Sequence, residues 1–112
     1  MSKERYNVII TPEAYHDLTE INDYISYALQ APETADRYVD RIEHATMSLE
    51  FMPTKYSLVG FEPWHTLGVR HFPAENFIVY YYVREEHFSV YVISVIYTKR
   101  DQQKVLNDRF SI

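Results

Sequence analysis

The stretch that decides the fold runs from residue 11 to residue 28 and reads TPEAYHDLTEINDYISYA. Thr11 can cap a helix, Pro12 suits the first helical position, and Glu13 complements the positive end of the helix. Behind this start, apolar side chains recur at steps of three and four residues, at Ala14, Leu18, Ile21, Ile25 and Ala28. This spacing predicts an amphipathic helix whose apolar stripe packs against another part of the molecule.

A second amphipathic helix is predicted directly after the first. Proline is tolerated only in the first turn of a helix, so Pro32 marks the end of one helix and the start of another. The second apolar stripe ends before Pro53 and consists of Ala35, Tyr38, Ile42, Ala45 and Leu49. Two such helices with a short turn between them form an antiparallel hairpin, and both stripes need a surface to cover.

The rest of the chain consists of short segments rich in Val, Ile, Tyr and Phe, which are typical of β-strands. We expect strands at residues 6–10, 69–72, 77–84 and 88–97. The order strand, helix, helix, three strands predicts an α+β fold in which the helical hairpin packs on a mostly antiparallel four-stranded sheet. The two longest strands are almost continuously apolar, which favours helices on one face of the sheet and tyrosines on the other.

Length and composition indicate one folded unit of 112 residues. We expect a single domain over residues 1–112 with a core of about residues 6–101, and a short final helix or a tail over residues 102–112. The chain has no cysteine, which excludes a disulfide scaffold, a cysteine zinc site and a thiol nucleophile. Its apolar runs are too short to cross a membrane and no signal peptide is recognisable, so a cytoplasmic protein is expected.

Charge and motif content narrow the possible partners. The net charge of −5 makes nucleic acid a less favoured partner, because affinity for phosphate backbones comes largely from Lys and Arg. No direct binding to DNA is expected. Five histidines lie scattered without metal-ligand spacing, and the two glycines form no phosphate loop. We therefore expect neither a metal nor a cofactor.

One group of residues is a candidate for catalysis. Arg70 and His71 lie on one predicted strand, and Tyr97 and Arg100 lie at the end of the last one. If neighbouring strands bring them together, they would supply the proton transfer and charge stabilisation that cleavage of an RNA phosphodiester needs. The alternative is a solvated strand end, since no paired carboxylate or second basic cluster supports catalysis.

Eleven tyrosines are an unusual number for this length. Strands favour aromatic side chains, so Tyr38, Tyr80 and Tyr91 are expected in the core or on the sheet surface. Tyrosine and tryptophan are also favoured anchors at protein interfaces. The candidate anchors for a partner are Tyr15, Tyr24, Tyr27, Trp64, Tyr81 and Tyr82.

The order of these elements resembles the ParE/RelE toxins of bacterial toxin–antitoxin modules over about residues 6–101. The matching positions are residues 10–14, Asp17, Leu18, Ile21, Tyr24, Ile25, residues 35–42, Leu49, Pro53, residues 68–70, Asn76, Phe77, Tyr80, Val92, Val95 and residues 99–101. The resemblance implies the fold expected above. It also implies a cognate antitoxin that lays a helix along the hairpin and adds a strand or an extended segment to the sheet.

The superfamily has two arms: RelE-like members cut messenger RNA on the ribosome, and ParE-like members poison DNA gyrase. Cleavage by the cutting arm needs four functional side chains. In this sequence, Arg70 or His71 matches one of them and Arg100 matches another. The other two fall on Ile78 and near Leu106, and neither of these side chains can hold a phosphate or move a proton.

We therefore expect a ParE-like toxin that acts by binding a protein target such as gyrase. The alternatives are a ribosome-dependent endoribonuclease and a member that has lost toxicity and survives as a binding module. A cation and a phenol from elsewhere in the chain that meet Arg100 in an open groove would overturn the binding interpretation.

Overall fold

The computed structural model describes residues 4–111, which form a four-stranded sheet with helices on both faces. In chain order the elements are β1 (Asn7–Ile10), α1 (Pro12–Asp23), α2 (Pro32–Met47), β2 (Arg70–Ala74), β3 (Phe77–Arg84), β4 (Ser89–Tyr97) and α3 (Gln102–Arg109). A π-helical turn, Tyr24–Ala28, continues α1. Within the described part of the chain, every helix is too short or too polar to span a membrane.

The sheet confirms the α+β fold predicted from the sequence. Its strand order is β1-β4-β3-β2, in which β1 runs parallel to β4 and the other pairs are antiparallel. The hairpin of α1 and α2 packs on one face. Residues 1–3 and 112 of the expected domain lie outside the described residues.

Two strand boundaries differ from the prediction. Strand β2 continues through Pro73 to Ala74, whereas the sequence indicated a break at this proline. Strand β2 lies at the edge of the sheet, so its outward N–H groups have no partner in a neighbouring strand. A proline, which has no N–H, is therefore tolerated at this position. Strand β4 begins at Ser89, one residue later than predicted, because Phe88 has a left-handed backbone with φ of 46°.

The start of α1 is fixed to the sheet by its cap. The hydroxyl of Thr11 accepts a hydrogen bond from the Ala14 amide at 3.4 Å and donates one to the Val92 carbonyl at 2.7 Å. The expectation of a regular α-helix to Ala28 was wrong, because α1 ends at Asp23 and the π-helical turn follows. Ala28 is exposed and does not extend the apolar stripe.

A β-bulge interrupts the alternation of side chains along β4. Tyr80 pairs with Ser94 while Tyr81 pairs with Val92, so Ile93 is the extra residue. An extra residue shifts the alternation of the side chains that follow it. The sheet has an apolar cluster on each face. The cluster under the hairpin includes Leu18, Ile21, Ile42, Leu49, Phe72, Val79, Tyr81, Val92 and Val95, and the second includes Val59, Trp64, Val69, Tyr80, Ile93, Ile96 and Leu106.

The C-terminal segment is a helix, which decides between the two possibilities left open by the sequence. Helix α3 is capped by Asp101, whose carboxylate accepts from the Lys104 amide at 3.2 Å. Leu106 is fully buried in the second cluster. Asn107 accepts a hydrogen bond from the Trp64 indole at 2.8 Å, so α3 covers the face opposite the hairpin.

A buried carboxylate joins the first helix to the last. Asp17 of α1 accepts hydrogen bonds from the Val95 amide at 2.8 Å and from the Arg109 guanidinium at 2.6 Å. The same guanidinium donates to the Ser94 hydroxyl at 3.0 Å. Strand β1 pairs with β4 only as far as Val92, so Asp17 supplies the acceptor that a longer β1 would have given to Val95.

We predict that Asp17→Ala destabilises the protein by about 3 kcal/mol, because it leaves the Val95 amide and the Arg109 guanidinium without their acceptor. Urea unfolding measures the change. The control is Asp23→Ala, which removes an exposed carboxylate from the same helix and should leave the unfolding midpoint almost unchanged. Equal midpoints for both variants would contradict the structural role of Asp17.

The same group predicts a pH dependence. Burial, the largest influence, raises the pKa of Asp17 above its ordinary value of 3.8, although the Val95 amide and Arg109 act in the opposite direction. The folded chain then binds this proton more tightly than the unfolded chain, so the contribution of Asp17 to stability falls as pH rises through the raised pKa. The difference in unfolding free energy between the wild type and Asp17→Asn should therefore shrink from about pH 3.5 to pH 7. A difference that grows with pH would mean that Arg109 and Val95 outweigh burial.

Candidate partner-binding groove

An open groove of about 710 Å³ lies between the end of α1 and the ends of β3 and β4. It takes side chains from both ends of the chain, because α3 returns to the same edge of β4 that α1 covers. The lining residues are Asp17, Glu20, Ile21, Tyr24, Ile25, Leu29, Tyr38, Asn76, Phe77, Val95, Ile96, Tyr97, Arg100 and Arg109.

The helical wall of the groove is apolar and aromatic. Ile21 and Ile25 belong to the apolar stripe of α1 and its π-helical turn, and Tyr38 of α2 packs edge-on against Phe77 at 6.2 Å between ring centroids. Tyr24 and Leu29, in contrast, are largely exposed. A wall of this composition offers contact area to an apolar partner surface.

The two arginines of the groove differ in whether they have a hydrogen-bond or ion-pair partner. Arg109 is held by Asp17 and is largely covered, so its charge is already balanced. Arg100 follows β4 and is exposed, and its guanidinium has no hydrogen-bond partner among residues 4–111. The groove therefore presents one available cation beside the apolar wall.

The four candidates for catalysis do not come together. Arg70 pairs with Tyr81, whereas Tyr97 pairs with Phe77, which lies four positions from Tyr81 along β3. At about 3.3 Å per residue, this offset separates the two ends by roughly 13 Å along the strands. Tyr97 and Arg100 line the groove, and Arg70 and His71 lie outside it.

The structure gives Arg70 and His71 other surroundings. The guanidinium of Arg70 donates to the carbonyls of Thr54 at 3.3 Å and Tyr56 at 2.6 Å, which ties the loop before β2 to the sheet. His71 stacks on Tyr80 with 6.3 Å between ring centroids. Its buried Nδ1 has no hydrogen-bond partner within the described residues. Neither side chain faces the groove.

A second cation and further phenols do share the groove with Arg100. Arg109 and the tyrosines at 24, 38 and 97 all line it. This is the arrangement that was expected to overturn the binding interpretation, except that Arg109 is already paired with Asp17. Sequence reasoning missed Arg109, although Val105, Leu106 and Phe110 indicated that a helix was possible there. The other two roles of the cutting arm fall on Ile78 and near Leu106. Both side chains are apolar, and Ile78 is half-buried and Leu106 is buried.

The structure divides the candidate anchors into three groups. Tyr81 is buried, so the expectation that it is an exposed anchor was wrong, and Trp64, whose exposure the sequence left open, is buried as well. Trp64 fills the second cluster, and Tyr81 donates its hydroxyl to the Pro53 carbonyl at 2.6 Å, where burial raises the pKa of Tyr81 to about 12. Tyr82 is half-buried and stacks on Tyr91. The exposed group comprises Tyr15, Tyr24 and Tyr27.

Comparison with known structures gives the same architecture. A chain of the chromosomal ParDE toxin–antitoxin system from P. aeruginosa superposes with a TM-score of 0.70 and 21% identity, over 85% of this chain and 98% of that one. A chain of the RelBE2 toxin–antitoxin complex from Mycobacterium tuberculosis gives 0.58 and 20% identity, over 86% and 94%. At this level of identity, the likeness concerns the fold alone.

Comparison of sequences identifies the family. None of the curated proteins matches this chain. The sequence model of the ParE toxin of the type II toxin–antitoxin system parDE matches residues 8–102, which include the helical hairpin and the four strands except Asn7. The chain therefore belongs to the ParE toxin family and is the toxin component of a type II toxin–antitoxin system.

Proposed function

We propose that this toxin inhibits DNA gyrase by binding to it in the cytoplasm, and that its cognate antitoxin neutralises it by occupying the groove. The observation that carries the proposal is the separation of Arg70 and His71 from Tyr97 and Arg100. Without this constellation, among residues 4–111 the groove offers Arg100 alone as an arginine without an ion-pair partner for a scissile phosphate. Membership of the ParE family supports the same target.

The groove suits an amphipathic helix of the antitoxin. Such a helix binds by laying its apolar face into a hydrophobic groove. Here the apolar face would pack against the wall formed by Ile21, Ile25 and Phe77. The exposed ring of Tyr24 and the side chain of Leu29 would cover it from the other side. Arg100 would pair with an acidic residue of the helix at the rim.

RNA cleavage in the groove is the second candidate function. Arg100, Arg109 and the phenol of Tyr97 line one open space, which favours it. Against it, the ion pair between Asp17 and Arg109 leaves only Arg100 to stabilise the charge of a cleaving phosphodiester. Binding of a protein target therefore accounts better for the arrangement.

We predict that the purified toxin blocks supercoiling by DNA gyrase and that the protein encoded next to its gene relieves the block. A supercoiling assay with relaxed plasmid measures both effects. Heat-denatured toxin at the same concentration is the control. No inhibition at a large excess of folded toxin would remove gyrase as the target.

Two further results would identify the alternatives. New 5′ ends in translated messages, lost in Arg100→Ala, would assign the chain to the endoribonucleases. Normal growth of cells that express the toxin without any antitoxin would mean that this member has lost toxicity and acts only as a binding module.

For the groove, we predict that Tyr24→Ala weakens antitoxin binding about 30-fold, since aromatic anchors at interface centres contribute about 2 kcal/mol or more. Tyr15→Ala is a matched control, because Tyr15 is 61% exposed and Tyr24 63%, yet only Tyr24 lines the groove. Isothermal titration with the adjacent-gene product measures both affinities. An equal loss for both variants would contradict the assignment of the groove.

A further inference from the structure

The end of the helical hairpin exposes aromatic and apolar side chains. It consists of the π-helical turn Tyr24–Ala28 and the next residue, Leu29. Tyr27 is 79% exposed, the largest fraction among the large apolar side chains of residues 4–111, and Tyr24 and Leu29 are more than half exposed. Tyr24 and Leu29 line the groove, but Tyr27 does not. The side chains of Tyr24, Tyr27 and Leu29 therefore form a surface, the hairpin tip, that extends beyond the groove.

Hydrogen bonds hold the hairpin tip in shape. The Ala31 amide donates to the Ile25 carbonyl at 3.3 Å, which closes the turn between the two helices. Behind this turn, the side-chain amide of Asn22 donates to the Asp36 carboxylate at 3.0 Å and joins α1 to α2. Since these bonds fix the turn, its backbone has little conformational freedom to lose when a partner binds. Turns of π-helical form are also frequent at functional sites.

The negative charge of the protein is concentrated on the hairpin. Residues 11–50 contain nine of the sixteen acidic residues and two of the eleven Lys and Arg residues, which gives a net charge of −7 against +2 for the rest of the chain. Asp23 ends α1 and Glu33 lies in the first turn of α2, so they flank the tip along the chain. Both are exposed, and neither forms an ion pair within residues 4–111. The hairpin tip is thus an aromatic surface with an acidic rim.

A basic protein surface is the complement of the hairpin tip. Carboxylates attract Lys and Arg across an interface and repel nucleic acid and other acidic partners. An enzyme that acts on DNA carries a basic surface, because Lys and Arg bind the phosphate backbone. A second copy of this chain is a poorer occupant, since the chain outside the hairpin has a charge of only +2.

We propose that the hairpin tip is the surface with which this toxin binds a basic surface of gyrase, and that Tyr27 is its central anchor. The inference rests on the proposed function for the identity of the target and adds the contact surface. Because Tyr24 and Leu29 belong to both the tip and the groove, an antitoxin helix in the groove would cover part of the tip. Antitoxin and gyrase would then exclude each other, which is how occupation of the groove would neutralise the toxin.

The first test compares Tyr27→Ala with Tyr15→Ala in direct binding to gyrase. Both variants remove an exposed ring from the hairpin, but Tyr15 precedes the tip by about three helical turns. We expect Tyr27→Ala to weaken gyrase binding about tenfold relative to Tyr15→Ala, since aromatic anchors dominate the energetics of interfaces. Equal gyrase affinities of the two variants would overturn the proposal.

Binding of the adjacent-gene product shows whether the loss is specific to gyrase. Tyr27→Ala should bind that protein as tightly as the wild type does, because Tyr27 lies outside the groove. Unchanged antitoxin affinity also shows that the variant is folded. An equal loss of affinity for gyrase and for the adjacent-gene product would assign the tip to the antitoxin and overturn the proposal.

The second test neutralises the acidic rim. Asp23→Asn combined with Glu33→Gln removes two charges beside the tip, and the control, Glu85→Gln combined with Glu86→Gln, removes two exposed charges between β3 and β4. Pairs of exposed charges are weak and are screened by salt. The rim variant should therefore bind gyrase about fivefold more weakly than the control at low ionic strength, and equally at about 0.5 M salt. Equal affinities at low ionic strength would overturn the proposal.

These tests separate the contact surface from the choice of target. If the wild type binds gyrase and the tip variants bind it as their controls do, the hairpin tip is not the contact surface and gyrase remains the target. If the wild type itself does not bind gyrase, the proposed function fails and the proposal for the tip fails with it.

Discussion

The arrangement of the molecule depends on how the outer edge of β4 is completed. Strand β1 covers this edge only to Val92, and from there α1 takes over through the Thr11 cap and the Asp17 carboxylate. Because Asp17 also binds Arg109, the last helix is held at the same place. A groove remains where α1 diverges from the sheet, and its walls come from both ends of the chain.

The two faces of the sheet are covered by different helices. The hairpin covers one face and forms the larger cluster, while α3 covers the other with Leu106 and brings Arg109 to the groove. The bulge at Ile93 shifts the alternation of β4, so that Val90, Val92 and Val95 face one cluster and Ile93 and Ile96 the other. The exposed features that remain include the groove, with Tyr24 among its lining residues.

The sequence predicted the hairpin and the strands because helix caps and residue periodicity are local signals. Thr11 and Pro12 start α1 as their chemistry requires, and the four strands fall within two residues of their expected bounds. The candidate site was predicted less well. Whether Arg70 lies near Tyr97 depends on strand register, and whether Trp64 is exposed depends on where α3 packs, so neither follows from residue types alone. Arg109 was missed for the same reason, since its partner Asp17 lies at the opposite end of the chain.

The central claim is that this toxin acts by binding a protein and not by moving a proton. The most direct test is growth arrest by the double variant Tyr24→Phe and Tyr97→Phe, which loses two phenols of the groove, expressed without antitoxin beside the wild type. Both changes remove groups that acid–base chemistry would use and keep nearly the same shape. Binding predicts that the variant and the wild type arrest growth at equal expression. Loss of arrest in a variant that remains folded would contradict it.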